Sequence, residues 1–272
     1  MTDTQQGRQA GRAGEVRFEP ASDGVARVVL ANPGKLNAID IAMWQTLRTG
    51  FEELQAMPAD SAPIAVIVSG ANGQFAAGGD IAEFAEFRFD EERLRDFHEQ
   101  IVGPALDAIR NCDIPLFAQI DGACVGGGLE IAACCDIRIC GETSRFGAPI
   151  GRLGFPMAPG ELQLMCGIAP QAVLREMLLE ARLIDAATAL RCGLVHQVTA
   201  DADVAAVTQA RAQALHKLAP QAARINKRTL RQIARGGPDA AERLAHYRYA
   251  DSAEHREGVT AFINRRPPRF GR

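Results

Sequence analysis

Two hydrophobic periods run along this chain, and the switches between them outline an α/β order of elements. Residues 15–20 and 25–30 carry β-branched and aliphatic side chains on either side of Ser22-Asp23-Gly24, which predicts a hairpin. Asn32-Pro33-Gly34 predicts a turn. Behind Asp40, a good N-cap, Met43, Leu47, Phe51 and Leu54 recur three or four apart, so a helix is expected. Residues 64–69 (IAVIVS) are an apolar run of the kind found in a strand covered on both faces, and a glycine-bearing loop over 70–79 follows. Residues 88–110 space Leu94, Phe97, Ile101, Leu106 and Ile109 among many charges, predicting a helix interrupted at Gly103-Pro104. Strands are expected at 115–120, 137–140 and 194–198, and helices at 129–135 and 170–180. From Asp201 the chain is rich in alanine, arginine and leucine and reads as helical to its end.

Between the strand at 115–120 and the helix that follows lies Gly126-Gly127-Gly128-Leu129-Glu130. Glycines there let a ligand approach the backbone closely, because no Cβ intervenes. They also present amide N–H groups at the positive end of a helix dipole, where an anionic oxygen is stabilised. A carboxylate on the first helical turn, Glu130, could move protons beside that oxygen. The pattern points to oxyanion chemistry.

Composition narrows the setting. With 272 residues the chain can form one large domain or a domain with an appendage. Apolar residues make up 47% and charged residues 23%, as in ordinary globular proteins, and a net charge of −3 gives no footprint for nucleic acid. The seven cysteines are odd in number, sit mostly in apolar surroundings and lack metal-ligand spacing. They suggest a reducing cytoplasm and no metal site. Residues 1–14 are polar and glycine-bearing, without the apolar segment of a signal peptide, and read as a disordered tail. No apolar run approaches the roughly 20 residues of a membrane span. The expected organisation is a tail over 1–14, a core carrying the site over 15–200, and a helical segment over 201–272.

Five motifs in order resemble the enoyl-CoA hydratase/isomerase (crotonase) superfamily. Asn32-Pro33-Gly34-Lys35-Leu36-Asn37-Ala38 is similar to the family's segment beside the CoA adenine and pantetheine. Phe75-Ala76-Ala77-Gly78-Gly79-Asp80-Ile81 resembles its first oxyanion loop, and Val125-Gly126-Gly127-Gly128-Leu129-Glu130 with Cys135-Asp136 its second. Arg182-Leu183-Ile184-Asp185-Ala186 with Gly193-Leu194-Val195, and Glu257-Gly258 with Ala261-Phe262, resemble two later stretches.

The resemblance implies an α/β spiral of ββα units forming two nearly perpendicular sheets, with a C-terminal helical trimerisation subdomain. It implies a homotrimer or homohexamer and an acyl-CoA substrate of the kind met in fatty acid metabolism, with coenzyme A part of the substrate rather than a cofactor. The thioester oxygen would lie between the N–H groups of Gly79 and Gly127, with Glu130 as acid/base in adding water to a 2-enoyl-CoA. Lys35, Asn37, Ala38, Ala77, Gly78, Asp80, Ile81, Gly126, Ile150 and Phe262 would bind substrate. Neither a nucleic-acid nor a membrane partner is implied.

One departure matters most. Hydratases of this family generally use a second glutamate, and after Arg145-Phe146-Gly147-Ala148-Pro149 this chain has Ile150, which cannot donate a proton. Glu130 alone would have to accept the proton of the attacking water. Isomerisation, decarboxylation or hydrolysis of another acyl-CoA therefore stays open, as does a catalytically silent acyl-CoA-binding member. Glu161 follows Pro159-Gly160 and reads more readily as a dipole-matched helix start than as a replacement acid. Asp80 is expected to accept backbone N–H bonds, Asp136 to stabilise a turn, His98 to lie on a solvated helix face and His196 to be structural. Met157, Leu162 and Phe84 could line an acyl pocket or belong to the core. The family's basic residue after the first oxyanion loop is replaced by Ala82, leaving Lys35 or Arg27 or a neighbouring subunit to meet the CoA phosphates.

Overall fold

The structure, a computed structural model, describes residues 13–270. The tail expected over 1–14 thus lies almost wholly outside the described residues. Gly14, at its inner end, donates its N–H to Asp40 Oδ2 at 2.9 Å.

Nine strands are formed by the described residues: β1 (Glu15–Ser22), β2 (Val25–Ala31), β3 (Ala65–Gly70), β4 (Leu116–Ile120), β5 (Ala123–Val125), β6 (Ile137–Gly141), β7 (Arg145–Gly147), β8 (Ile184–Asp185) and β9 (Gln197–Thr199). β1 and β2 are the predicted hairpin. Asp23 and Gly24 both take positive φ, 48° and 69°, the signature of the two-residue turn that matches strand twist. Six strands form one sheet in the order β1-β2-β3-β4-β6-β9, parallel from β2 onward, and β5-β7-β8 form a second.

The unbroken apolar runs of β3 and β4 are explained by two-sided burial. Val66, Val68, Leu116 and Ala118 face the main core, while Ala65, Ile67 and Phe117 face a smaller cluster. Over the main face lie α1 (Ile41–Ala56), α2 (Ile81–Phe87), α3 (Glu91–Asp96), α4 (Gly103–Asn111), α5 (Gly127–Cys134) and α6 (Pro159–Cys166), with α1 packed on α4, α4 on α5 and α5 on α6. α7 (Gln171–Leu179) and α8 (Ala186–Arg191) follow. α9 (Val204–Gln213) covers the opposite face of the large sheet, where Ala212 joins Ile67 and Phe117. α10 (Pro220–Ala234), α11 (Ala240–His246) and α12 (Ala253–Ile263) complete the chain.

Asp40 caps α1 as expected, accepting from Met43 N at 2.8 Å. The expected break at Gly103-Pro104 takes another form. Residues Phe97–Val102 adopt a π-helical turn between α3 and α4, widening the helix just before a proline that cannot donate to the preceding turn. The strand expected over 194–198 begins only at Gln197; Leu194 and Val195 are buried ahead of it. No helix among the described residues is long and apolar enough to cross a membrane.

Candidate active site

Two glycine-bearing loops meet at the junction of the sheets. The first is held by Ile39, whose N–H donates to Gly78 O at 2.7 Å and whose carbonyl accepts from Asp80 N at 2.9 Å. These bonds fall on either side of Gly79, so the Gly79 N–H has no acceptor among the described residues. The second loop turns at Gly126, with φ 51° and ψ −124°, and its N–H is fixed to Gly147 O at 2.9 Å. Gly127 then opens α5, so its N–H has no carbonyl one turn back within the helix.

The loops touch through their glycines. A Cβ on Gly126 would stand 3.4 Å from Gly78 Cα, and one on Gly128 would meet Ala76 O at 2.6 Å. Gly78 itself has φ 109°, a conformation L side chains rarely adopt. The close approach is available only without side chains, and it brings Gly79 and Gly127 together on the wall of one cavity of about 290 Å3.

Glu130 faces this cavity from the first turn of α5 and is 6% exposed. Its Oε2 lies 3.9 Å from the place a Gly127 Cβ would occupy, so carboxyl and amide flank the same volume. Burial pushes the Glu130 carboxyl well above its ordinary pKa, the charge of Glu161 adds to the rise, and the Arg88 guanidinium opposes it. These effects favour the neutral form of Glu130 over its carboxylate.

Glu161 stands in the first turn of α6 as expected, but it also faces the cavity, and His98 stands where sequence reasoning did not put it. Glu161 makes no capping bond at the start of α6; it is buried, and its carboxyl reaches the cavity. His98 is turned inward by the π-helical segment, and its Nδ1 lies 2.5 Å from Glu161 Oε1, so the solvated-face reading does not hold. Neither position carries a local signal for this. A π turn shifts the face a helix presents, and heptad-like spacing does not encode it.

Arg88 was also missed. Its guanidinium carbon lies 4.0 Å from the ring centroid of Phe84 and 3.8 Å from that of Phe155. Burial lowers its pKa, against the pull of Glu161 and Glu130.

Of the residues expected to bind substrate, Ala77, Gly78, Ile81, Gly126 and Ile150 line the cavity beside Gly79, Gly127 and Glu130. Met157 and Phe84 line it too, and Leu162 does not. Asn37, Ala38 and Asp80 are buried behind the wall. Asn37, at φ 56°, donates to Ala71 O at 2.8 Å and Gln74 O at 2.7 Å, fixing the turn. Asp80 caps α2 through Ala82 N at 3.1 Å and pairs with Lys35 at 2.5 Å. Arg27 bonds Gln209 on α9 at 2.7 Å, so it is committed to docking that helix. Phe262 lies on α12, 85% exposed and away from the cavity of its own chain. Asp136 accepts from Leu116 N at 2.7 Å, and His196 Nδ1 accepts from Arg138 N at 3.0 Å; both are structural.

A fold of this topology, with paired free amides and a buried acid in one cavity, has the layout of a site that stabilises an oxyanion and moves protons beside it. The chain belongs to the enoyl-CoA hydratase/isomerase family, whose family model matches residues 20–272. It is 30% identical over 250 residues to the "Probable enoyl-CoA hydratase echA8" of Mycobacterium bovis, covering 90% of this chain and 94% of that one. It is 30% identical to the human mitochondrial enoyl-CoA hydratase domain-containing protein 3, covering 90% of this chain and 80% of the relative. Among solved structures, an enoyl-CoA hydratase/carnithine racemase from Magnetospirillum magneticum superposes with a TM-score of 0.88 at 35% identity, covering 94% of each chain.

Proposed function

We propose that this protein is an enoyl-CoA hydratase, a carbon–oxygen lyase that adds water across the double bond of a 2-enoyl-CoA thioester in fatty acid metabolism. The observation that carries the reading is the cavity wall shared by the free N–H groups of Gly79 and Gly127 and the buried Glu130 carboxyl. Water attack at Cβ moves the π electrons onto the thioester oxygen. Two preorganised amides stabilise the charge that develops there, and loss of one such donor typically costs about 3 kcal/mol of barrier. Glu130 serves as acid/base at the resulting enolate. The CoA moiety remains part of the substrate, and no separate cofactor is required.

The test is the loss of conjugated enoyl-thioester absorbance with short- and medium-chain substrates. Glu130→Gln should lower kcat by about 10²–10⁴-fold, the range for removing a general acid–base group. Turnover equal to that of the parent would remove the reading. Ile150 on the cavity wall favours a second reading, in which the same enolate is reached by isomerisation or decarboxylation. Mass spectrometry of a panel of CoA thioesters separates the two, because only hydration adds the mass of water.

We further propose that the active form is a trimer, or a dimer of trimers, assembled through α10–α12. These helices leave Leu230, Ile233, Leu244 and Phe262 exposed, with Tyr247 just after α11. A cytoplasmic setting accords with the same reading.

A further inference from the structure

The His98–Glu161 pair stands between two cavities. On one side is the cavity of Glu130; on the other is a polar cleft of about 260 Å3 that His98 and Glu161 also line, together with Asp107 and Arg110. The Glu161 carboxyl and the His98 imidazole meet at 2.5 Å, a distance at which a proton can pass between them. Glu161 thus meets the reaction volume and, through the pair it forms with His98, the cleft.

We propose that Glu161 is the second proton-transferring residue of this site, that His98 positions it, and that the pair exchanges its proton with solvent through the cleft behind it. The proposal rests on the hydratase reading. In the step it describes, a water O–H bond breaks and its proton passes to the Glu161–His98 pair while the oxygen bonds to Cβ. The Cα–Cβ π pair moves onto the thioester oxygen, held by the amides of Gly79 and Gly127. The enolate collapses as Cα takes the proton of the Glu130 acid. Glu130 regains a proton from the pair or from solvent, and the sum is one water added.

A further feature agrees with this division of labour. Burial, with the neighbouring Glu161 charge, raises the Glu130 pKa and so favours its acid form, the form that donates to Cα. The charged residues that line the two cavities with the pair are Glu130, Arg88 and Arg152 in the reaction cavity and Glu99, Asp107 and Arg110 in the cleft, where Arg110 is bound to Asp107 at 2.5 Å.

Glu161→Gln keeps the shape and removes the base. It should lower kcat for hydration by about 10²–10³-fold with little change in KM, while deuterium exchange at Cα of the 3-hydroxyacyl-CoA product stays within about threefold of the parent. Glu130→Gln should lower both. His98→Asn retains a donor to Glu161 but cannot carry a proton. It should slow turnover about tenfold, with the loss restored by added imidazole, a response that mere repacking would not give. Glu161→Gln protein hydrating at the parental rate across the pH range, with Glu130→Gln inactive, overturns this proposal alone. A parent without Glu130-dependent hydration overturns the functional reading first and this proposal with it.

Discussion

Gly127 shows how little tolerance the oxyanion site has at a single residue. A Cβ there would stand 2.9 Å from Cζ2 of Trp44, which is 2% exposed and cannot swing away. Gly127→Ala must shift α5 or the indole, and its N–H moves with it. We expect kcat to fall about 10²-fold, the scale of one misplaced oxyanion donor, with circular dichroism unchanged. Trp44→Phe in the Gly127→Ala background should recover part of the rate by making room. Glu130 carries a different cost. Its folded pKa lies above the ordinary 4.5, so the folded state binds more protons than the unfolded state at higher pH. Stability contributed by the neutral acid is full below 4.5 and declines as pH rises through the folded value. Glu130→Gln should therefore melt higher than the parent, and the gain should grow with pH in thermal scans. A site residue that raises stability when neutralised is selected for chemistry rather than packing.

At the scale of elements, α10 is tied to the core by charge more than by apolar contact. Asp113, buried at the end of α4, accepts from Arg231 at 2.6 Å and from Arg228, both on α10. Lys227 on the same helix reaches Asp136 at 2.7 Å. Burial pushes the Asp113 carboxyl up, but hydrogen bonds from Arg228 and Arg231 outweigh it and hold the pKa below 3.8. A depressed folded pKa gives stability present above the unfolded value and lost as pH falls through the folded one. Asp113→Asn should cost about 2 kcal/mol at neutral pH, the worth of hydrogen bonds to a charged group. The difference from the parent should vanish in acid; denaturant titrations at two pH values would show it. The π turn over Phe97–Val102 is the other element that matters, because it sets the face on which His98 projects.

For the whole molecule, the exposed apolar residues of α10–α12 are the surface on which the proposed assembly rests. Leu244 is 75% and Phe262 85% exposed. Light scattering after size exclusion should give about three or six times the chain mass, on the standard expectation of closed symmetry. Leu244→Asp should shift the distribution toward the monomer, and a monomeric parent would dismiss the assembly. Such an assembly is also the setting in which Phe262 and the free end of α12 could approach a CoA from another copy.

The sequence by itself determined the α/β order, the hairpin at Asp23-Gly24, the cap at Asp40 and the glycine turn that leads into Glu130. All of these depend on local backbone preference or on motifs a few residues long. The resemblance to a known family added which motifs belong together. Asn37, Ala38 and Asp80 are buried and do not line this cavity, and a motif's spacing does not say which side of a loop faces it. Only the tertiary structure decided that Glu161, His98 and Arg88 join Glu130. Their meeting depends on how α2, the π turn and α6 pack over α5, and such packing is set by the summed burial of many side chains rather than by any segment's own pattern.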